Sequence, residues 1–182
     1  MRVLRTMGNN VSTLNSMNLT ANSAKLTGPV LALDLGSKSV GVAVSDVLLI
    51  TIKRLNPIKR SNWKQLLANV RDLVERFDAK TLVIGLPLAL DGSRTNAALE
   101  AQRLAANFVR SLQLPVYLQD ERLTSFEATQ TLREAGHSEI QIRKLVDGEA
   151  AALILRDFLH STAEEQQTRL VDPQKVDPKE NY

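Results

Sequence analysis

The sequence has no cysteine and only two histidines in 182 residues. This excludes a disulfide framework, a thiolate zinc site and a cysteine nucleophile, and leaves too little imidazole for a histidine-built metal cluster. Any metal must sit on oxygen ligands. Aromatic residues make up 4% of the chain, too few for a platform on which bases stack. The longest apolar run is the six residues Ala150–Leu155, against the roughly 20 that a membrane-spanning helix requires. Such a helix is excluded, and no membrane partner is expected. An excess of one charge is also lacking. Lys and Arg number 23 against 20 Asp and Glu, a net +3, so a nucleic-acid partner would have to be met by local basic clusters.

The chain that remains reads as one domain with two tails, since about 150 residues per domain leaves no room for two full lobes. Residues 1–28 contain no Asp or Glu, three basic residues, five Asn, four Thr and three Ser, without apolar periodicity, and read as a disordered extension. That composition fits a flexible tail or an over-long start, with Met7 and Met17 as later starts, and it also fits an organelle transit peptide. The expected location is cytoplasmic, or organellar if the extension is a transit peptide. Ser161–Tyr182 carries two Pro, five acidic and three basic residues and reads as a flexible, solvated tail. Residues 29–160 are the folded domain.

Within that domain, Val30–Gly36, Val40–Asp46 and Leu48–Arg54 are short β-type runs spaced as an antiparallel meander. Trp63, Leu66, Leu67, Val70, Leu73, Val74 and Phe77 form one helical stripe, with Ser61 as the expected N-cap. Thr81–Leu86 is almost wholly apolar and ends at Pro87, as a central parallel strand does. A helix from about Thr95 and a strand Pro115–Asp120 complete a crossover. Thr124 and Glu127 have capping-box spacing for a third helix ending near Gly136, and a last helix spans about Leu145–His160.

Three acids stand where carboxylates are costly. Asp34 interrupts Val-Leu-Ala-Leu in the first strand, where burial without a partner costs several kcal/mol; turn capping at Gly36 is the structural alternative. Glu121 closes the strand Val116–Glu121 at its carboxyl end, where ligands gather in sheets with parallel strands. Alternation does not separate it from Asp120, and a surface ion pair with Arg122 is the alternative. Asp147 continues the stripe of Ala151, Ile154 and Phe158, so it faces the sheet unless it serves only the helix dipole. Converging, the three would suit a magnesium-type site, in which two divalent ions about 4 Å apart activate water and stabilise a leaving oxygen. Lys38, Ser45 and Asp46 are candidates to touch phosphate or else ordinary hairpin residues. Lys53, Arg54, Lys59 and Arg60 form a basic stretch around Pro57 that could follow a nucleic-acid backbone or be a solvated connection.

Four segments in order carry a resemblance: Leu33-Asp-Leu-Gly-Ser-Lys-Ser-Val-Gly-Val-Ala-Val-Ser-Asp46, Val83-Ile-Gly-Leu-Pro-Leu88 with Asp91-Gly92-Ser93, Asp120-Glu-Arg-Leu-Thr-Ser-Phe-Glu-Ala128, and Asp147-Gly-Glu-Ala-Ala-Ala-Leu-Ile-Leu155. Together they resemble the YqgF (RuvX-like) type of pre-16S ribosomal RNA nucleases, formerly called Holliday-junction-resolvase-like proteins. The resemblance implies an α/β, RNase H-like fold with a mixed five-stranded sheet in order 3-2-1-4-5 and helices on both faces. It implies a metal-dependent nuclease acting in 5′-end maturation of pre-16S ribosomal RNA, with junction-type DNA resolution or non-catalytic nucleic-acid binding as alternatives. It selects Asp34, Glu121 and Asp147 as catalytic and metal-holding residues for Mg²⁺ or Mn²⁺ in a two-metal site, and adds Arg122 and Thr124 as substrate contacts. The partner expected is structured RNA, with DNA junctions as the alternative. Related resolvases carry an acid after the fourth strand, where this chain reads Gly85-Leu86-Pro87. Asp34-x-Gly36 also resembles the phosphate turn of sugar kinases and actin-like ATPases, which need a second lobe that 182 residues do not hold.

Overall fold

A computed structural model describes residues 26–121, 133–136 and 138–175, and over 139–148 the backbone alone. The expected meander forms β1 (Val30–Leu35), β2 (Ser39–Ser45) and β3 (Ile52–Arg54). After it come β4 (Ile58–Lys59), α1 (Trp63–Phe77), β5 (Thr81–Leu86), α2 (Asn96–Leu112) and β6 (Val116–Asp120). Two further helices follow, α3 (Glu139–His160) and α4 (Ala163–Arg169). The sheet runs β3-β2-β1-β5-β6, the expected order. β1 is antiparallel to β2 and parallel to β5, and β5 is parallel to β6.

Alternation along the strands gives the sheet two apolar faces. Leu31, Leu33, Val42, Leu82 and Ile84 pack against α1 and α2, where Trp63 meets Phe108 edge-on with ring centroids 4.8 Å apart. Val30, Ala32, Ala43, Val83 and Tyr117 pack against Ala151, Ile154, Leu155 and Phe158 of α3, and Phe158 lies 5.0 Å from Tyr117. With both faces covered, β1 and β5 need continuous apolar runs, as read from the sequence.

Four expectations are corrected. The sheet among the described residues has six strands, because Ile58–Lys59 pairs Val40 and Ser39 of β2; Ile58 is buried there, but two residues after a proline give no periodic signal. The N-cap of α1 is Asn62, whose side chain accepts the Gln65 N–H, one residue later than Ser61. α3 begins at Glu139, six residues before Leu145. The segment read as a solvated tail is ordered over 162–171: Thr162 and Glu165 form a capping box, Leu170 bridges Tyr117 on β6, and Val171 donates to the Val116 carbonyl at 2.9 Å. The helix expected from Thr124 starts outside the described residues, as does nearly all of the extension 1–28.

Candidate active site

The site grows from the register of three strands. Leu33 pairs Ile84 and Gly85 pairs Gln119, so Asp34, Gly85 and Gln119 stand side by side at the carboxyl ends of β1, β5 and β6. All three belong to the face that α3 covers, two residues on from Ala32, Val83 and Tyr117. Glu121 donates its backbone N–H to the Leu86 carbonyl at 3.3 Å, which holds the chain against β5 beyond the end of β6.

Its carboxylate folds back over Gly85. A Cβ at residue 85 would lie 2.3 Å from Glu121 Oε2 and 2.8 Å from Ile154 Cδ1, so the glycine makes the space that the carboxylate fills under α3. Burial, reinforced by the neighbouring Asp34 and Asp120 carboxylates, pushes the Glu121 carboxyl up to about 8 from an ordinary 4.5. Alternation had left Asp120 and Glu121 equivalent. The fold separates them: Glu121 is drawn in beside Asp34, while Asp120 lines a groove with Leu118 on the α2 side.

Asp34 bonds through its backbone in the adjoining turn, where its carbonyl accepts the Gly36 N–H at 3.1 Å. Gly36 is required, since a Cβ there would meet the Ser39 carbonyl oxygen at 2.7 Å. Residue 147 lies on α3 one turn before Ala151, which is fully buried against the sheet with Ile154 and Phe158. The Asp147 side chain, and Arg122 and Thr124, are outside what is described. Among the described residues no cluster of three metal-ligating side chains forms; the pair brought together is Asp34 and Glu121.

The other expected contacts do not form one surface. Ser45 is 4% exposed and lies at the far end of the sheet, because β2 runs back beside β1. Its Oγ accepts the Val30 N–H at 2.9 Å and donates to the Asp46 carbonyl at 3.1 Å. It pins the start of β1 and is not placed to touch substrate at the acid site. Ser45→Ala should cost about 1–3 kcal/mol by stranding the buried Val30 N–H, which urea unfolding checks. Asp46 serves the β2–β3 loop, accepting the Ile50 N–H at 2.7 Å, which holds its carboxyl below the usual range.

Lys53 and Arg54 are successive on β3 and so point to opposite faces. Arg54 Nη1 pairs with Glu149 of α3, whose side chain is 11% exposed against 56% for the arginine. Arg60 donates from Nη1 to the Gly36 carbonyl at 2.7 Å and pairs with Glu100 of α2, which braces the β1–β2 turn. Lys38 and Lys59 are exposed at the same end. The single basic track expected over 53–60 is therefore divided: two of its four cations are ion-paired within the fold. Sequence reading missed Glu149, two residues beyond Asp147; its signal was an acid directly before the apolar run Ala150–Leu155. Arg54→Ala should lower stability by about 1–2 kcal/mol, a figure reduced for the exposure of the arginine. Adding Glu149→Gln should restore part of the loss in a double-mutant cycle.

Against this geometry, the family model described as "RuvX: Holliday junction resolvase" matches residues 28–161, nearly three quarters of the chain. The chain belongs to this family. A protein of Koribacter versatilis named "Putative pre-16S rRNA nuclease" is 42% identical over 135 residues, covering 72% of this chain and 86% of its own length. A Lactobacillus johnsonii protein of the same name is 39% identical over 137 residues, covering 73% of this chain and 96% of its own. Among solved structures, Thermus thermophilus RuvC bound to a Holliday junction matches with a TM-score of 0.46 and 18% identity, over 70% of this chain and 91% of that one. The RuvX match ends at residue 161, so α4 and the strand-like segment after it lie beyond the matched residues.

Proposed function

We propose that this RuvX-family chain is a divalent-metal-dependent nuclease that hydrolyses phosphodiester bonds in the 5′-end maturation of pre-16S ribosomal RNA. The observation that carries the reading is Glu121, held under α3 beside Asp34 with its carboxyl pushed up to about 8. Two carboxylates brought together and partly buried repel one another once both are charged, and a divalent cation would relieve that repulsion. The donors are carboxylate oxygens, which suit Mg²⁺ or Mn²⁺, and no cysteine is present to favour a softer ion. Asp34 and Glu121 would hold the metal, with Asp147 as the third acid of the set.

A bound divalent ion supplies activation of water and charge stabilisation on the leaving oxygen. The chain's own residues do the rest. Gly85 gives Glu121 its place, Gly36 and Arg60 fix the turn after Asp34, and α3 excludes water from one side of the acids. Glu121 must lose its proton before it can ligate.

The matching family model is described as a Holliday junction resolvase, which keeps a DNA junction as the second reading. One cleavage panel separates them: precursor 16S ends, unstructured RNA and four-way DNA junctions, with and without Mg²⁺ or Mn²⁺, using Asp34→Asn as control. The expected result is metal-dependent cleavage of the precursor ends, lost in Asp34→Asn. Cleavage of junctions alone favours the second reading, and tight binding without cleavage of any substrate makes the chain a binding factor.

A further inference from the structure

Beyond the acid site, a groove of about 660 Å³ lies between the start of α2, the end of β6 and residues 168–175. We infer that it is a phosphate-binding channel for one polynucleotide strand on its way to the acids, an inference that rests on the nuclease reading. Arg94, Arg103, Arg169 and Lys175 line it against the two carboxylates Asp120 and Asp172, a positive balance in a chain whose overall charge is nearly even. Its rim reaches Asp120 at the end of β6 on the α2 side of the sheet, so a backbone bound there would have to pass round that strand end to reach Glu121 on the α3 side.

Arg169 supplies the strongest argument. Its Nη1 donates to Gln119 Oε1 at 2.7 Å and to Ser161 Oγ at 2.9 Å. Both acceptors are neutral, and the acid that feels its charge is the exposed Glu165 one turn back on α4, so the guanidinium is held in place with its charge only weakly offset. Gln119 is buried and stands on β6 in the row of Asp34 and Gly85, which ties the position of this cation to the acid site. An arginine ordered in this way is set up for phosphate oxygens, which it can meet with two parallel hydrogen bonds.

The wall carrying it is firm. α4 is capped by Thr162 and Glu165, Leu170 and Val171 add to the edge of β6, and Arg110 donates to the Pro173 carbonyl at 2.7 Å. Lys175 meets Asp172 at 3.7 Å with its side chain 83% exposed, a weak pair that leaves it able to take a phosphate. Arg169 and Lys175 both follow residue 161, where the family match ends. At about 660 Å³ the groove has room for a single backbone and not for two strands.

The test measures binding without cleavage. Full-length protein in EDTA is titrated against a labelled single-stranded RNA and the same RNA as duplex, across a salt series. Arg94→Gln/Lys175→Gln, at two exposed positions, should weaken single-strand binding about 10-fold at low salt. It should also flatten the log–log salt slope by about 1.4, at roughly 0.7 per single-strand phosphate contact. Arg169→Gln should act in the same direction; if melting shows that it loosens α4, the double variant decides. Unchanged affinity and slope in the double variant overturn the channel, as does wild-type protein that does not bind single strands. Equal effects on duplex binding overturn the single-strand assignment. If the variants behave as expected but no substrate is cleaved with metal present, the channel stands and the nuclease reading fails.

Discussion

Replacing Glu121 by Gln is expected to lower metal-dependent cleavage by about 10³-fold or more, the scale of loss when a group central to the chemistry is removed, while raising the stability of the metal-free protein at neutral pH. The second effect follows from the carboxyl being pushed from 4.5 up to about 8 by burial and by Asp34 and Asp120. In the folded, metal-free chain the proton stays on until pH approaches 8; in the unfolded chain it leaves above about 4.5. Between those values the unfolded state binds fewer protons, so stability falls as pH rises. The contribution is fully present below about 4.5 and lost above 8. At neutral pH the difference is on the order of 3 kcal/mol, which Gln, having no proton to lose, should recover. Urea unfolding from acid to alkaline pH should show a falling curve for wild type and a flatter one for the variant. Metal affinity of the wild type should rise with pH over the same range, because binding must displace that proton. A variant that still cleaves, or that is less stable with an unchanged slope, removes Glu121 from the site.

The same residue shows where the sequence was readable and where it was not. Asp34 stood out because it breaks an apolar run in a strand covered on both faces, and it stands at the carboxyl end of β1 on the face that α3 covers. The stripe Ala151, Ile154 and Phe158 was likewise legible, since period and burial coincide. Glu121 was distinguishable from Asp120 by resemblance alone, because the difference lies in which carboxylate finds space over a glycine of a neighbouring strand. Ser45 was misplaced for a topological reason: a polar residue in a β run reads the same at either end of the sheet, and the antiparallel return of β2 carries it away from the acids. α4 was missed because it buries no residue of its own and therefore has no apolar stripe. Its signal was the capping-box spacing of Thr162 and Glu165, which marks a helix start whether or not a core follows. The Arg54–Glu149 pair, 95 positions apart, had no local trace.

Gly85 is the residue whose role the sequence disguised most, since it reads as the mere absence of the acid that related resolvases carry. Gly85→Ala is expected to reduce metal-dependent cleavage by about 10²-fold, the cost of a misplacement on the ångström scale at a reacting centre. The new Cβ would fall 2.3 Å from Glu121 Oε2 and 2.9 Å from its Cδ, with Ile154 Cδ1 at 2.8 Å behind. Ile154 is fully buried and has little room to retreat, whereas the Glu121 carboxylate is the end of a flexible side chain. Glu121 therefore moves and the sheet does not. Overpacking should cost about 1–2 kcal/mol, partly offset by the relief of a carboxyl that swings towards water and titrates nearer its ordinary value. The variant's stability should accordingly depend less on pH than the wild type's, as in Glu121→Gln, although the acid is still present. Glu121→Gln added to Gly85→Ala should then cause little further loss of cleavage, because both changes remove the same carboxylate from the same place. A Gly85→Ala protein that cleaves like wild type would show that Glu121 does not need its position under α3, and the acid site as built here would fall with it.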